Sequence, residues 1–240
     1  MQGDQHKQHI SGQFNAELDA MKNHLLEMGG LVEQQLSRAV SSLLLRDSGE
    51  AQLVVRADHQ INEMELQIDD ECSRILARRQ PAASDLRLVL AVAKSTTDLE
   101  RIGDEATRIA KQATKLSELQ ASSGTSLELR QISNHVASML REALDSFARL
   151  DVSKAIDVVL DDAAVDLEYD AAMSSLVRLM KRDPASISSV VHEMWALRGL
   201  ERVGDHATNI AEQVIYLVSG RDVRHMKPEE LHRLLKSGEA

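Results

Sequence analysis

At 240 residues the chain is long enough for one large domain or for two of about 100–120 residues each. Hydrophobic side chains make up 43% of it but aromatics only 2%, so Leu, Val, Ala, Ile and Met must fill the core; three prolines and eleven glycines are too few turn formers for an all-β fold. The net charge of −10 excludes a basic footprint for nucleic acid, and the single Cys72 excludes a disulfide framework or a multi-cysteine zinc site.

From the N-terminus, Met1 to Ile10 is polar and has no apolar h-region, so no signal peptide is expected. No later run has the length and apolarity of a membrane span. The protein is therefore expected to be soluble and cytoplasmic, meeting a membrane only through a partner. Leu18, Met21, Leu25, Met28, Val32, Leu36, Ala39 and Leu43 recur at spacings of three and four, the pattern of a long amphipathic helix. A second helix is predicted from about Ala51 to Arg79. A third opens at Ser84-Asp85, read as an N-cap pair, and runs to about Lys115.

The chain then repeats itself. Leu99 to Gln112, LERIGDEATRIAKQ, and Leu200 to Gln213, LERVGDHATNIAEQ, share ten of fourteen residues. Further back, Asp58, Ile61 and Asn62 align with Asp162, Val165 and Asp166, and Asp47 and Asp151 mark the same turn. Ile132, Val136, Met139, Ala143 and Phe147 form the copy of the first apolar stripe. The copied second helix runs from about Ser153 to Arg182, and the copied third follows Pro184 as an N1 proline and ends near Val218. The predicted fold is all-α, a tandem duplication of an antiparallel three-helix bundle. Residues 10–117 form the first copy, 125–219 the second and 220–240 a tail with a short helical pattern at Leu231, Leu234 and Leu235. Ala121-Ser122-Ser123-Gly124-Thr125 reads as the linker between the copies.

Glu100 and Asp104 recur as Glu201 and Asp205, each pair spaced so that both side chains share one helix face. Unneutralised like charges at that spacing cost roughly 0.2–0.5 kcal/mol. Each pair continues an apolar stripe: Leu86, Val89 and Ala93 lead to Glu100, and Ile187, Val190, Met194 and Leu197 lead to Glu201. A second stripe, Leu99, Ile102, Ala106, Ile109 and Ala113, points the other way, so the helix is expected to lie sandwiched between neighbours. On the preceding helices, Asp58 with Asn62 and Asp162 with Asp166 have the same spacing. They lie about as far before their hairpin turns as the glutamate–aspartate pairs lie after them. Oxygen-bearing side chains from both helices should meet at one level in each bundle, with Asn209 and Glu212 continuing the row in the second.

Clustered carboxylates repel unless protonated, paired with Arg or Lys, or bound to a cation. An all-oxygen donor set favours Mg²⁺, Mn²⁺ or iron over zinc or copper. The competing reading is a solvated acidic face neutralised by Arg101, Arg108 and Arg202. His59 and His206 are adjacent in sequence but point away from the row. Gly103 and Gly204, each costing roughly 1 kcal/mol inside a helix, imply close backbone approach.

These residues carry a resemblance. The opening ISGQFNAELDAMKNHLLEMGGLVEQQL and the two segments DLERIGDEATRIA and GLERVGDHATNIA resemble the PhoU family of phosphate-uptake regulators, whose duplicated E(D)xxxD motif binds metal. The resemblance implies two three-helix bundles, metal clusters on the bundle surface and no catalytic activity. It implies a peripheral regulator linking the ATPase-driven Pst phosphate transporter to a PhoR-type histidine kinase. By carry-over, Glu100, Asp104, Glu201 and Asp205 are the motif ligands, and Asp58, Asn62, Asp162 and Asp166 the opposing ones. The first copy departs in having Arg108 and Lys111 where the second has Asn209 and Glu212.

Two other readings stand beside it: a helical scaffold whose acidic faces hold no metal, and a carboxylate-bridged metalloenzyme. The latter needs repeated Glu-x-x-His motifs, and only Glu229 to His232 fits, once. Long amphipathic helices with Met-rich faces make a homodimer the expected assembly.

Overall fold

The computed structural model describes residues 2–119, 126–227, 229–231 and 233, the side chains of 2–11 and 126 excepted. Six long α-helices carry the chain: α1 Gln2–Leu45, α2 Ser48–Arg79, α3 Ala83–Ser117, α4 Ser126–Arg149, α5 Val152–Arg182 and α6 Ile187–Ser219. Among the described residues there is no strand, and no helix is long and apolar enough to cross a membrane. The proposed linker 121–125 and the tail positions Leu234 and Leu235 lie outside the described residues.

The two copies make the same turns from the same chemistry. After α1 the chain enters the left-handed region at Arg46 (φ 52°), and after α4 it does so at Leu150 (φ 56°). The next amide then closes the helix end, Asp47 N–H to the Ser42 carbonyl and Asp151 N–H to the Ser146 carbonyl, both at 2.9 Å. That is the long bond of a Schellman ending, which satisfies a carbonyl the helix leaves open. The two aspartates then cap the following helices: Asp47 Oδ1 accepts from Gly49 and Glu50, and Asp151 Oδ1 from Lys154.

The second hairpin turns depart from the sequence reading. Ser84 and Asp85 do not cap α3; Ala82 stands at the N-cap without a side-chain bond, and both lie in the first helical turn. Pro184 does not open α6 directly. It begins a 3-10 turn, Pro184–Ser186, capped by Asp183, and α6 starts after it.

Every residue of the two predicted apolar stripes, Leu18 to Leu43 and Ile132 to Phe147, is buried. So is the stripe Leu99, Ile102, Ala106, Ile109 and Ala113 on α3. The copies pack on each other through α3 and α6, which run antiparallel. Arg87 Nε donates to the Leu217 carbonyl (3.0 Å), Asp98 pairs with His206 (2.8 Å), Glu105 with Arg202 (2.8 Å) and Gln112 with His192 (2.9 Å). α1 and α4 add a second antiparallel contact, where Lys22 Nζ donates to the Ala148 carbonyl and Glu33 meets Arg141. Among the described residues of the tail, Val223 and Leu231 pack back on the bundle, each only 2% exposed.

Gly199 allows the close passage of α6 over α3: a Cβ there would stand 3.0 Å from Ile109 Cγ1 and 3.5 Å from Glu105 Oε2. Gly199→Val is expected to destabilise the fold by about 1–3 kcal/mol, read from the urea midpoint. Gly30→Ala, at an exposed position where a Cβ meets nothing, is expected to be neutral or stabilising by up to about 1 kcal/mol. Equal behaviour of the two variants would contradict this packing.

Candidate metal centre

The close approach predicted at the motif glycines is present in both copies and uses equivalent partners. A Cβ on Gly103 would meet Ile61 Cδ1 at 3.2 Å, and one on Gly204 would meet Val165 Cγ1 at 3.4 Å. These contacts draw α3 onto α2 and α6 onto α5, and they set the two acidic rows side by side.

In the second copy Glu201 is 9% exposed, while Asp162 is half-buried and Asp166 and Asp205 stay open to solvent. Burial raises Glu201 above the ordinary carboxylate range, and the charge of Asp205 and then Asp166 adds to it. Asp205 is pushed up by the surrounding protein and next by Asp166; Asp162 is pushed up by burial, against the Thr208 hydrogen bond, with Asp205 and Asp166 adding to it. The four carboxylates of α5 and α6 therefore sense one another. Glu201 Oε1 accepts from Arg198 at 2.7 Å, but its Oε2 is buried without a partner. Thr208 Oγ1 donates to Asp162 Oδ1 at 3.1 Å, holding that carboxylate against α6.

The first copy is built from the same positions and is better neutralised. Glu100 is raised by burial and then by Asp104, with Asp58 adding to it. Arg101 lies 3.5 Å from Glu100, and Arg108 lies 3.6 Å from Asp104. Gln35 Nε2 donates to Asp58 Oδ1 at 2.9 Å, while its own Oε1 is buried and unpartnered beside Gly103. Asn62 is exposed on the outer side of α2.

Three placements differ from the sequence reading. Asn209 does not continue the α6 row, because its amide donates to Asp98 of α3 at 3.0 Å. Arg202 acts on Glu201 only through its charge; its ion pair crosses to Glu105, a buried carboxylate at the junction of the copies. Glu212 is withdrawn from the row into a pocket with Lys94, Tyr216, Asp222 and Arg224, where burial pushes it up to about 7. His59 and His206 face away as expected: His59 bonds the Arg56 carbonyl, and His206 bonds Asp98.

Four participants escaped the sequence reading. Glu65, raised by burial and then by Glu100, extends the first cluster by a turn. Arg198, Gln35 and Thr208 are the neutralising or donating groups. Only Thr208 left a trace, since Thr107 stands at the same place in the first motif and lies 3.4 Å from Gln35 Nε2.

The donors suit a hard cation: all are oxygens, they repel one another, and one buried carboxylate oxygen has no partner. They are not drawn into a closed cage. Among the described residues no three His, Cys, Asp or Glu side chains converge on a single point.

Comparison with known proteins follows the same duplication. The PhoU domain matches twice, over residues 25–113 and 129–214. The chain belongs to the PhoU family. It is 57% identical over 218 residues to the phosphate-specific transport system accessory protein PhoU homolog of Pseudomonas putida, covering 91% of this chain and 85% of that one. It is 43% identical over 228 residues to the corresponding Escherichia coli (strain K12) protein, covering 95% and 94%. The crystal structure of PhoU from Pseudomonas aeruginosa superposes with a TM-score of 0.85 at 55% identity, over 87% of this chain and all of that one. That of the phosphate transport system regulatory protein PhoU from Streptococcus pneumoniae gives 0.81 at 34%, over 88% and 99%.

Glu212 generates a pH prediction. Its folded value of about 7 lies above the ordinary 4.5, so the fold favours the protonated form. Its contribution to stability is complete below about pH 4.5 and is lost as pH rises through about 7. Urea midpoints should fall between pH 5 and pH 8, and by less in Glu212→Gln. An identical decline in the variant would remove Glu212 as the cause.

Proposed function

We propose that this chain is a non-enzymatic regulator of phosphate uptake. In this reading it links the Pst transporter, through its ATPase subunit, to a PhoR-type histidine kinase and carries metal on the two acidic rows. The observation that supports it most is the duplicated Glu-x-x-x-Asp pair on α3 and α6. Each pair lies against the carboxylates of the preceding helix, in a chain that belongs to the PhoU family. The relatives are named accessory and regulatory proteins of the phosphate-specific transport system, and none of the names quoted describes an enzyme.

Within that proposal Glu201, Asp205, Asp162 and Asp166 hold metal in the second copy, and Glu100, Asp104 and Asp58 hold it in the first. A bound Mg²⁺, Mn²⁺ or iron ion would offset the repulsion and tie each third helix to the second. The second copy is the stronger site, because Glu201 keeps an unpartnered buried oxygen while Arg101 and Arg108 already compensate the first. Asn62 and Asn209 are the weakest of the proposed ligands, one exposed and the other committed to Asp98. A homodimer in the cytoplasm, touching the membrane only through the transporter, completes the proposal; the mass of the purified protein in solution tests the dimer.

No observation favours a metalloenzyme in the bundle core. At the level of the motifs the inner face of α3 is Leu99, Ile102 and Ala106, all fully buried.

Glu201→Ala with Asp205→Ala is expected to empty the second site while leaving the helical circular dichroism unchanged. Elemental analysis after equilibration with Mn²⁺ should show the loss, and unchanged metal content would defeat the assignment. The regulatory role is tested apart from the metal. Deletion of the gene should leave phosphate-starvation genes expressed in rich phosphate, and normal repression in the deletion strain would refute it.

A further inference from the structure

Along the α2/α3 groove the charge changes sign. Beyond the acidic row, towards the C-terminal end of α3, lies an open groove of about 530 Å³. It is lined by Gln52, Val55 and Arg56 of α2 and by Lys111, Thr114 and Lys115 of α3, and its walls are mostly carbon. In a chain of net charge −10, three cations around one groove are a local inversion.

None of the three makes an ion pair among the described residues. The nearby Arg108 takes up both Asp104 and Glu105. Arg56 spends only its Nε, on the Gln52 carbonyl of its own helix (3.3 Å), which leaves both terminal nitrogens as donors. Lys115 sits in the last turn of α3, where the helix dipole favours a cation. That accounts for Lys115 alone, and not for Lys111 a turn earlier or for Arg56 on the other helix.

The duplication supplies an internal control. The positions of the second copy equivalent to Arg56, Lys111 and Lys115 are Leu160, Glu212 and Tyr216. Leu160 packs against the core, and Glu212 and Tyr216 line a smaller pocket shared with the tail residues Asp222 and Arg224. The cationic groove therefore belongs to the first copy only, and the shared bundle does not require it.

We propose that this groove is a binding site for a phosphoryl anion carried on an organic body, of which a nucleotide is the type. Arg56, Lys111 and Lys115 supply charge-assisted hydrogen bonds to the phosphoryl oxygens. Val55 and the methylene stems of the cations give the body an apolar surface. The volume falls within the range of about 300–1,000 Å³ usual for small-molecule sites and exceeds what a bare phosphate would fill. The inference needs neither the acidic rows nor the regulatory role.

The test is calorimetric titration of the full chain, stripped of metal, in phosphate-free buffer of low ionic strength. Separate titrations use AMP, inorganic phosphate and adenosine. AMP is expected to bind, inorganic phosphate more weakly, and adenosine not measurably. Lys111→Glu and Arg56→Glu should each weaken AMP by about tenfold or more. The double variant Lys111→Gln, Lys115→Gln, which preserves helix-forming residues at exposed positions, should do the same with an unchanged helical circular dichroism. Inorganic phosphate binding as tightly as AMP, with the same sensitivity to the variants, would sustain the phosphoryl site and overturn the role of the apolar body. Absence of binding by both phosphates, adenosine binding like AMP, or variants that bind like the parent would overturn the proposal.

Discussion

The interaction on which the rest depends is the crossing of α3 over α6 at Glu105. This carboxylate is only 3% exposed, and it sits between helices from opposite halves of the chain. It is tolerated there because Arg108 from its own helix and Arg202 from the other both reach Oε1, at 2.5 and 2.8 Å. Either arginine alone still pairs with Glu105, whereas losing both would leave a buried carboxylate uncompensated, which is the costly case for a buried charge. A pair of this kind adds little net stability over well-packed apolar residues, and here it ties one half of the chain to the other. Gly199 allows the approach, and the flanking pairs Asp98–His206 and Gln112–His192 keep the same antiparallel alignment. With that crossing set, the remaining polar faces of α3 and α6 turn outward onto α2 and α5, and both acidic rows arise on equivalent flanks.

Those flanks hold a conflict. Gly103 and Gly204 let the helices close on Ile61 and Val165, beside which Glu201 is buried and Glu100 and Asp162 are half-buried. Burial and mutual repulsion act in the same direction on Glu100, Glu201 and Asp205. The fold relieves the conflict with neutral donors to the carboxylates of the second helices, Gln35 of α1 to Asp58 and Thr208 of α6 to Asp162, and with arginines on the third helices. The relief is incomplete where Glu201 Oε2 remains without a partner. Unrelieved repulsion of this kind is what a multivalent cation removes, and the bundle has no apolar reason to keep the acids there.

Much of this was legible in the residue order, because two kinds of signal were strong. Apolar spacing over twenty-six residues and a fourteen-residue repeat defined helices, duplication and level, and burial of Leu18 to Leu43 follows from the periodicity alone. What was not legible lies across helices. Arg202 is adjacent in sequence to Glu201, yet it serves Glu105 on another helix; Asn209 falls in line with the acidic row, yet it serves Asp98. Helical periodicity tells which face a side chain leaves from, but not which of two neighbours a long or polar side chain reaches. The hairpin caps failed for a smaller reason: Ser84 and Asp85 have the right chemistry two and three residues past the right place.

The two copies have diverged along one line, the edge of the third helix beyond its acidic pair. In the second copy that edge runs through Asn209 and Glu212 to Tyr216, and each has been drawn inward: Asn209 to Asp98, Glu212 into the tail pocket, Tyr216 beneath Lys94. In the first copy the same edge runs through Arg108, Lys111 and Lys115, and only Arg108 is consumed by the fold. The tail accounts for the difference. It follows α6 and folds back, so Val223 is buried and Asp222 and Arg224 line the pocket at the second edge. The residues that follow α3 lead into the second copy instead, and the groove at the equivalent place stays open. The two copies are thus unequal, because the segment that follows α6 packs back on the second copy while the segment that follows α3 leads into it. That inequality leaves one groove of this molecule open and cationic.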